Sequence, residues 1–216
     1  MNCRDDLGRT PLYLSVVYEY TNLFDYLLEN EASPTLGASW KGNDTPLHLA
    51  CAKGNEYMVK RLIDVGVSPN IVNSMGQTPL HYAAWHEQSR IVELLVGYGA
   101  NIDAMSRRNE TPLIHTPKKI ARLEEYKIIL KYLIDKGADV NASDNSGNTP
   151  LKFAARYADV SAVDLLIQHG ADPSDSNGGN TALDFAIRLN RHLIADRLRA
   201  ALENQDGGVR DSPEWR

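Results

Sequence analysis

Residues 76–100 read GQTPLHYAAWHEQSRIVELLVGYGA, and residues 147–171 repeat the pattern as GNTPLKFAARYADVSAVDLLIQHGA. The threonine that opens the TPL motif, or TAL in the last copy, recurs as Thr10, Thr45, Thr78, Thr111, Thr149 and Thr181. A column of leucines recurs in step with it, as Leu27, Leu62, Leu95, Leu133, Leu166 and Leu198. Two columns that stay in step at about 33 residues establish an internal repeat.

Each unit is predicted to contain two helices. Thr45 can cap a helix that begins at Pro46, because proline lacks only an N–H that is unpaired in the first turn. Val59 and Leu62 belong to the apolar stripe of a second helix, which Gly66 can end in the left-handed conformation. One unit cannot bury this stripe alone, so neighbouring units must stack into a short curved solenoid.

The motifs G-x-T-P-L-H-x-A and L-L-x-x-G-A resemble the ankyrin repeat, and the resemblance covers residues 2–203. It implies an all-α solenoid of six helix-loop-helix units with hairpin-like fingers, within one domain. Residues 204–216 are polar, and we expect them to form a disordered tail. The approximate repeats are 2–34, 35–69, 70–102, 103–140, 141–173 and 174–203.

The fourth unit departs from the pattern, since residues 111–120 read TPLIHTPKKI. Column spacing places five extra residues between Thr111 and Leu133. Pro117 disfavours helix before it, so we expect a short or irregular first helix and an enlarged loop between the two helices. Seven basic and three acidic residues lie between Arg107 and Lys131. This positive region either favours an acidic partner or is an ordinary solvated surface.

Composition excludes several other classes of protein. The 216 residues carry a net charge of −5 and two cysteines, which indicates neither nucleic-acid binding nor a disulfide framework. The N-terminus has no apolar signal core, and no apolar run reaches the roughly 20 residues that span a bilayer. We therefore expect a protein of the cytoplasm or nucleus that does not contact membranes.

His48 and Cys51 lie three residues apart on one predicted helix and are the strongest candidates for chemistry. Two ligands do not make a zinc site. The resemblance implies instead that His48 and His81 bond the backbone. The sequence therefore predicts no catalytic residue, no metal, no cofactor and no enzymatic activity.

The resemblance implies that partners bind the finger tips and the concave face of the first helices. Exposed aromatic, Met and Arg side chains are common at interfaces, although packing between adjacent repeats is the alternative for the aromatic ones. The candidates are Trp40, Lys41, Asp44, Met75, Gln77, Trp85, His86, Arg107, Arg108, Asn145, Arg156 and Tyr157.

The implied function is a non-catalytic protein–protein interaction module, an adaptor or scaffold, whose partner the sequence does not identify. Two alternatives share the same repeats. One is a regulatory inhibitor of a transcription factor that resembles the inhibitors of NF-kappa-B. The other is a host-directed effector of a virus or an intracellular bacterium.

Three features outside the finger tips carry further predictions. Asn141 in LIDKGADVN resembles the target of an asparaginyl hydroxylase, or else stabilises its turn. The first repeat, with PLYLSVVYEY at 11–20, has no obvious polar outward side. Either Tyr13, Tyr18 and Glu19 cover this side, or an exposed apolar face indicates self-association, an upstream segment or a partner there. Arg197 and Arg199 stand where earlier repeats are mostly apolar, as expected of a terminal capping repeat.

Overall fold

The protein is a row of stacked helix pairs, as seen in a computed structural model that describes residues 2–38, 42–114 and 122–207. These ranges contain eleven α-helices and no strand, which confirms the predicted all-α solenoid. In chain order the helices are α1 (Pro11–Val17), α2 (Thr21–Glu29), α3 (Pro46–Lys53), α4 (Glu56–Asp64), α5 (Pro79–Trp85), α6 (Ser89–Gly97), α7 (Leu123–Asp135), α8 (Pro150–Tyr157), α9 (Val160–Gln168), α10 (Ala182–Arg188) and α11 (His192–Gly207).

The repeated threonines cap the inner helices, meaning the first helix of each pair. The Thr10 hydroxyl accepts the Tyr13 N–H at 3.1 Å, and the Thr181 hydroxyl accepts the Asp184 N–H at 3.1 Å. Proline follows the cap in α1, α3, α5 and α8. Each cap satisfies a backbone donor that the helix itself leaves unpaired.

The repeated histidine joins the inner helices α3 and α5 to the finger that follows each of them. His48 Nδ1 accepts the Thr45 N–H at 3.3 Å, so Nε2 carries the proton that it donates to the Gln77 carbonyl at 3.0 Å. His81 makes the same pair of bonds to Thr78 at 3.1 Å and to the Glu110 carbonyl at 2.8 Å. Both rings are fully used by the backbone, as the resemblance implies.

Burial of His48 makes the fold sensitive to acid. Burial lowers the pKa of His48 below its usual value of about 6.5. The stability supplied by the neutral ring is therefore present above about pH 6.5 and is lost as pH falls towards the folded-state pKa. In urea titrations, His48→Gln should flatten the pH dependence of the free energy of unfolding by up to about 1.4 kcal/mol per pH unit. The exposed His192→Gln is the matched control, and equal slopes in the two variants would contradict this account.

Outer helices, the second of each pair, bury the repeated leucines between neighbours. Helix α4 packs on α6, α6 on α7, and α7 on α9, while the inner helices α3 and α8 pack on α5 and α10. Every member of the leucine column is at most 4% exposed. Burial that recurs in register confirms that the units stabilise one another by stacking.

The fourth repeat differs from the expected arrangement. Residues 112–114 form a turn, closed by the Ile114 N–H donating to the Thr111 carbonyl at 3.0 Å, and Pro117 lies outside the described residues. Helix α7 has 13 residues, whereas α6 has 9. Since Leu133 aligns with Leu95, α7 begins four residues before the position that corresponds to the start of α6. The insertion therefore also lengthens the outer helix by four residues, and most of the predicted enlarged loop falls on 115–121, outside the described residues.

Contacts with the third repeat explain this extension. The Arg122 N–H donates to the buried Glu87 carboxylate at 2.7 Å, and the Ser89 hydroxyl donates to Glu125 at 2.5 Å. Glu124 and Glu125 also lie in the first turn, where the helix dipole favours negative charge. The loop between α5 and α6 thus anchors the start of α7.

The N-terminal repeat leaves one internal face open. A column four residues before the leucines consists of Leu23, Met58, Ile91, Ile129, Ala162 and Ile194. Its last five members are at most 4% exposed, whereas Leu23 is 43% exposed. Ile194 is buried although no described repeat follows it, so this column faces the preceding repeat. Self-association through the open face stays a prediction.

At the C-terminal end, α11 continues to Gly207, four residues beyond the predicted end of the repeats at 203. Arg199 is exposed at the position of the apolar Ile167 in the repeat before it. Arg197 pairs with Asp164 at 2.6 Å. Both observations agree with a polar terminal repeat, and residues 208–216 of the predicted tail lie outside the described residues.

Candidate protein-binding surface

Backbone hydrogen bonds join the finger tips into a ladder. The Ser74 N–H donates to the Gly42 carbonyl at 2.7 Å, and the Arg107 N–H donates to the Met75 carbonyl at 2.8 Å. The Asn145 N–H continues the series to the Arg108 carbonyl at 2.9 Å. The finger backbones therefore support one another and fix the backbone positions from which the tip side chains project.

A groove of about 440 Å³ lies between these finger tips and helices α5 and α8, and we call it the central groove. It is lined by seven of the predicted partner-binding residues, Met75, Gln77, Trp85, Arg107, Arg108, Arg156 and Tyr157. The other lining residues are Ser74, Ser106, Glu110, Ile114, Asp144, Asn148 and Phe153.

The central groove lies between α5 of repeat three and α8 of repeat five. Trp85 ends α5 on one side, and Phe153 and Tyr157 lie on α8 on the other. Between them, the described part of repeat four contributes the turn at 112–114, of which Ile114 lines the groove.

Apolar side chains provide much of the groove surface. Met75 is 55% exposed at the finger tips, and Trp85 is 36% exposed at the end of α5. The rings of Phe153 and Tyr157 lie 4.7 Å apart at an angle of 46°. Partly exposed aromatic and Met side chains of this kind are typical anchors of protein interfaces.

Three arginines add charge to the groove, and they are not equivalent. Arg107 and Arg108 are exposed, and neither guanidinium forms an ion pair with another described residue. Arg156 donates to the Asn148 side chain at 2.9 Å, and its guanidinium lies 3.5 Å from the centre of the Phe185 ring. Desolvation lowers the pKa of Arg156 below its usual value. Arg156 therefore supports the contact between repeats five and six, whereas Arg107 and Arg108 are available to a partner.

Asp44 and Gln77 are two predicted partner-binding residues that the structure buries, and their contact with a partner stays a prediction. Asp44 is 5% exposed and accepts hydrogen bonds from the Tyr82 hydroxyl at 2.5 Å and the Asn73 amide at 2.8 Å. Burial, together with the bond to Asp44, raises the pKa of Tyr82. The Gln77 side-chain oxygen accepts from the same Asn73 amide at 3.2 Å, so it forms part of the groove wall with little free surface.

His86 and Asn145 are exposed but lie outside the central groove. The His86 carbonyl accepts from the Arg122 side chain at 2.9 Å, and the Asn145 side chain donates to the Arg107 carbonyl at 3.3 Å. The predicted Trp40 and Lys41 lie outside the described residues.

The Asn141 side chain bridges two repeats. It donates to the Gly170 carbonyl at 2.9 Å and accepts the Asp172 N–H at 2.9 Å. Asn70 makes the corresponding bonds to Gly99 at 3.1 Å and to Asn101 at 2.7 Å. The turn-stabilising role is therefore present, and hydroxylation of Asn141 stays a prediction.

Phe153 and Ile114 are groove residues that sequence reasoning missed. Phe153 aligns with Leu49 and Tyr82, which suggests only core packing. Ile114 replaces the repeated histidine, and this substitution was the one feature of the sequence that could have marked it as a groove residue. It contributes to the groove because the fourth unit turns where the others are helical.

The described ranges 2–38, 42–114 and 122–207 show no sign of a metal site or of a membrane span. No cluster of three or more His, Cys, Asp or Glu side chains there could hold a metal ion. None of the helices in these ranges combines the length and the apolar character that crossing a bilayer requires. Burial raises the pKa of the Cys51 thiol, so this side chain is not an activated nucleophile.

Comparison with known proteins agrees with the fold. The family model for ankyrin repeats (3 copies) matches residues 35–106 and 119–211. Zebrafish neurogenic locus notch homolog protein 1 is 32% identical over 112 residues, which are 52% of this chain and 5% of that protein. Mouse palmitoyltransferase ZDHHC13 is 36% identical over 158 residues, 73% of this chain and 25% of that protein.

A shorter similarity involves the ANK repeat-containing protein nipk-1 of Caenorhabditis elegans, which is 38% identical over 78 residues, 36% of this chain and 13% of that protein. The chain thus aligns with at most a quarter of these relatives' lengths. What is shared is the repeat itself. The chain belongs to the ankyrin-repeat family, whose repeats form protein–protein interaction modules.

Proposed function

We propose that this chain is a non-catalytic adaptor or scaffold that binds a segment of a protein partner in the central groove. The observation that carries the proposal is the convergence of Met75 and Trp85 from the third repeat and Tyr157 from the fifth on one concave surface. The finger ladder and stacked helices hold these side chains in place before binding. Such preorganisation reduces the entropy that association costs.

A photo-crosslinking experiment tests the site. A benzophenone amino acid placed at Met75 should crosslink a partner in a lysate of cells that express the protein. The same amino acid at Tyr98, which is 41% exposed after the outer helix α6, is the control and should not. The Trp85→Ala/Tyr157→Ala double variant should lose at least about 90% of the crosslink, equivalent to about 1.4 kcal/mol or more of binding energy.

Folding of the double variant must be verified, and circular dichroism should show an unchanged helical signal because both side chains are partly exposed. Equal crosslinking from Met75 and Tyr98, or full capture by the double variant, would contradict the proposed site.

A further inference from the structure

We propose that the central groove selects a protein segment in which carboxylates flank aromatic or large aliphatic side chains. The proposal rests on the proposed function and specifies the chemistry of the partner. It is carried by the distribution of paired and unpaired charges around the groove.

The two carboxylates that line the groove are already engaged within the protein. Asp144 accepts the backbone N–H groups of Ser146 and Asn148, each at 2.8 Å, and also the Asn148 side chain at 2.8 Å. Glu110 accepts the Ser106 hydroxyl at 3.4 Å and has a further interaction. These carboxylates stabilise the finger turns and are therefore not available to bind a cationic partner.

The side chains of two arginines at the same rim, unlike these carboxylates, are not engaged within the described part of the protein. Arg107 and Arg108 are consecutive, both line the groove, and neither guanidinium has an ion-pair partner among the described residues. Each planar guanidinium can bind a carboxylate through two parallel hydrogen bonds. The charge that the groove offers to a partner is therefore positive, although the whole chain carries −5.

The backbone beneath these arginines is fixed on both sides. The Arg107 N–H bonds the Met75 carbonyl at 2.8 Å, while Asn145 donates to the Arg108 carbonyl at 2.9 Å and the Arg107 carbonyl at 3.3 Å. Only the side chains remain to be ordered when a partner binds. This lowers the entropic cost of forming each ion pair.

The apolar side chains of the groove determine which partner side chains can bind beside the carboxylates. Trp85 and Tyr157 lie across the groove, and Met75 lies beside the arginines on the neighbouring finger tip. An aromatic or branched aliphatic side chain can bury its surface here, and water exclusion strengthens nearby ion pairs. Nucleic acid also combines negative charge with aromatic rings, but two exposed arginines can neutralise only a few phosphates, so a short acidic protein segment fits the groove better.

Fluorescence anisotropy with labelled dodecapeptides tests this chemistry. The probe GSDEWSGFEDSG is compared with GSKKWSGFKKSG, which reverses the charge, and with GSDEASGAEDSG, which removes the rings. A single-stranded oligouridylate of the same length tests for nucleic-acid binding. We expect measurable binding of the first probe only, weakened as NaCl is raised from about 0.05 to 0.3 M.

Two charge-matched variants locate the binding. Arg107→Glu/Arg108→Glu should weaken binding of the acidic probe by at least about tenfold, or about 1.4 kcal/mol, and should gain binding of the lysine probe. Lys60→Glu/Lys131→Glu makes the same change in net charge on the exposed outer helices α4 and α7, and should change the affinity by less than about twofold.

Several outcomes would overturn the proposal. These are equal binding of the acidic and lysine probes, no binding of the acidic probe, tighter binding of oligouridylate, or an unchanged affinity in Arg107→Glu/Arg108→Glu. If crosslinking from Met75 still captures a partner in any of these cases, the groove remains a protein-binding site with a different preference. If that crosslink also fails, the proposed function fails with it.

Discussion

Replacing Ile91 by alanine should lower the free energy of unfolding by about 2–5 kcal/mol, whereas Leu23→Ala should lower it by about 1 kcal/mol or less. The two residues occupy the same column of the repeat, but Ile91 is 1% exposed and Leu23 is 43% exposed. The first substitution leaves a cavity between two repeats, while the second removes a side chain that water already reaches. Urea denaturation followed by circular dichroism measures both.

Met58→Ala extends this comparison within the same column, because Met58 is fully buried against the first repeat. It should resemble Ile91→Ala. Similar losses for Leu23→Ala and Ile91→Ala would mean that the N-terminal face is covered in solution. That result would favour self-association, and sedimentation velocity of the wild-type protein would then test for a dimer.

Replacing Lys152 by methionine should cost about 3–5 kcal/mol of stability. Lys152 stands in place of the repeated histidine and is 2% exposed. Its ammonium donates to the Gly147 carbonyl at 2.9 Å and the Asn177 carbonyl at 2.6 Å, and pairs with Asp175 at 2.8 Å. Methionine fills the volume but leaves a carboxylate and two carbonyls without their donor.

A double-mutant cycle with Asp175→Asn separates the ion pair from the carbonyl contacts. The coupling energy should exceed about 1 kcal/mol, because the residues are in direct contact. Lys127→Met is the control, since Lys127 lies in a partly exposed salt-bridge cluster and should contribute less. A loss for Lys152→Met no larger than that of Lys127→Met would show that the buried ammonium is dispensable.

The fold was predictable because equivalent positions of successive repeats are buried in the same way in a solenoid. Thr45, Pro46 and Leu62 each have counterparts in other units, so their local roles could be inferred without knowing long-range contacts. The extension of α7 was not predictable in this way. It depends on Glu87 and Ser89, which bond residues about 35 positions later along the chain.

The binding site was predictable only as a set of exposed positions. Met75, Trp85 and Arg107 lie in the groove as expected, because finger tips and inner-helix ends generally face the concave side. Asp44 occupies a similar position, yet its carboxylate already accepts a hydrogen bond from Tyr82, 38 residues away. Which exposed positions remain free depends on such pairings between repeats, and no single unit reveals them.

The irregular fourth repeat also has a consequence for cooperativity. In a stack of repeats, each unit is stabilised only by its neighbours. Within the described chain, the first three helix pairs connect to the last two through α7 and the finger ladder, because repeat four contributes a turn at 112–114. These contacts join an N-terminal and a C-terminal block of the stack, and the buried Leu113 and Leu130 continue the core between the blocks. A ligand in the central groove contacts both blocks. Its binding would therefore stabilise them together and couple their unfolding.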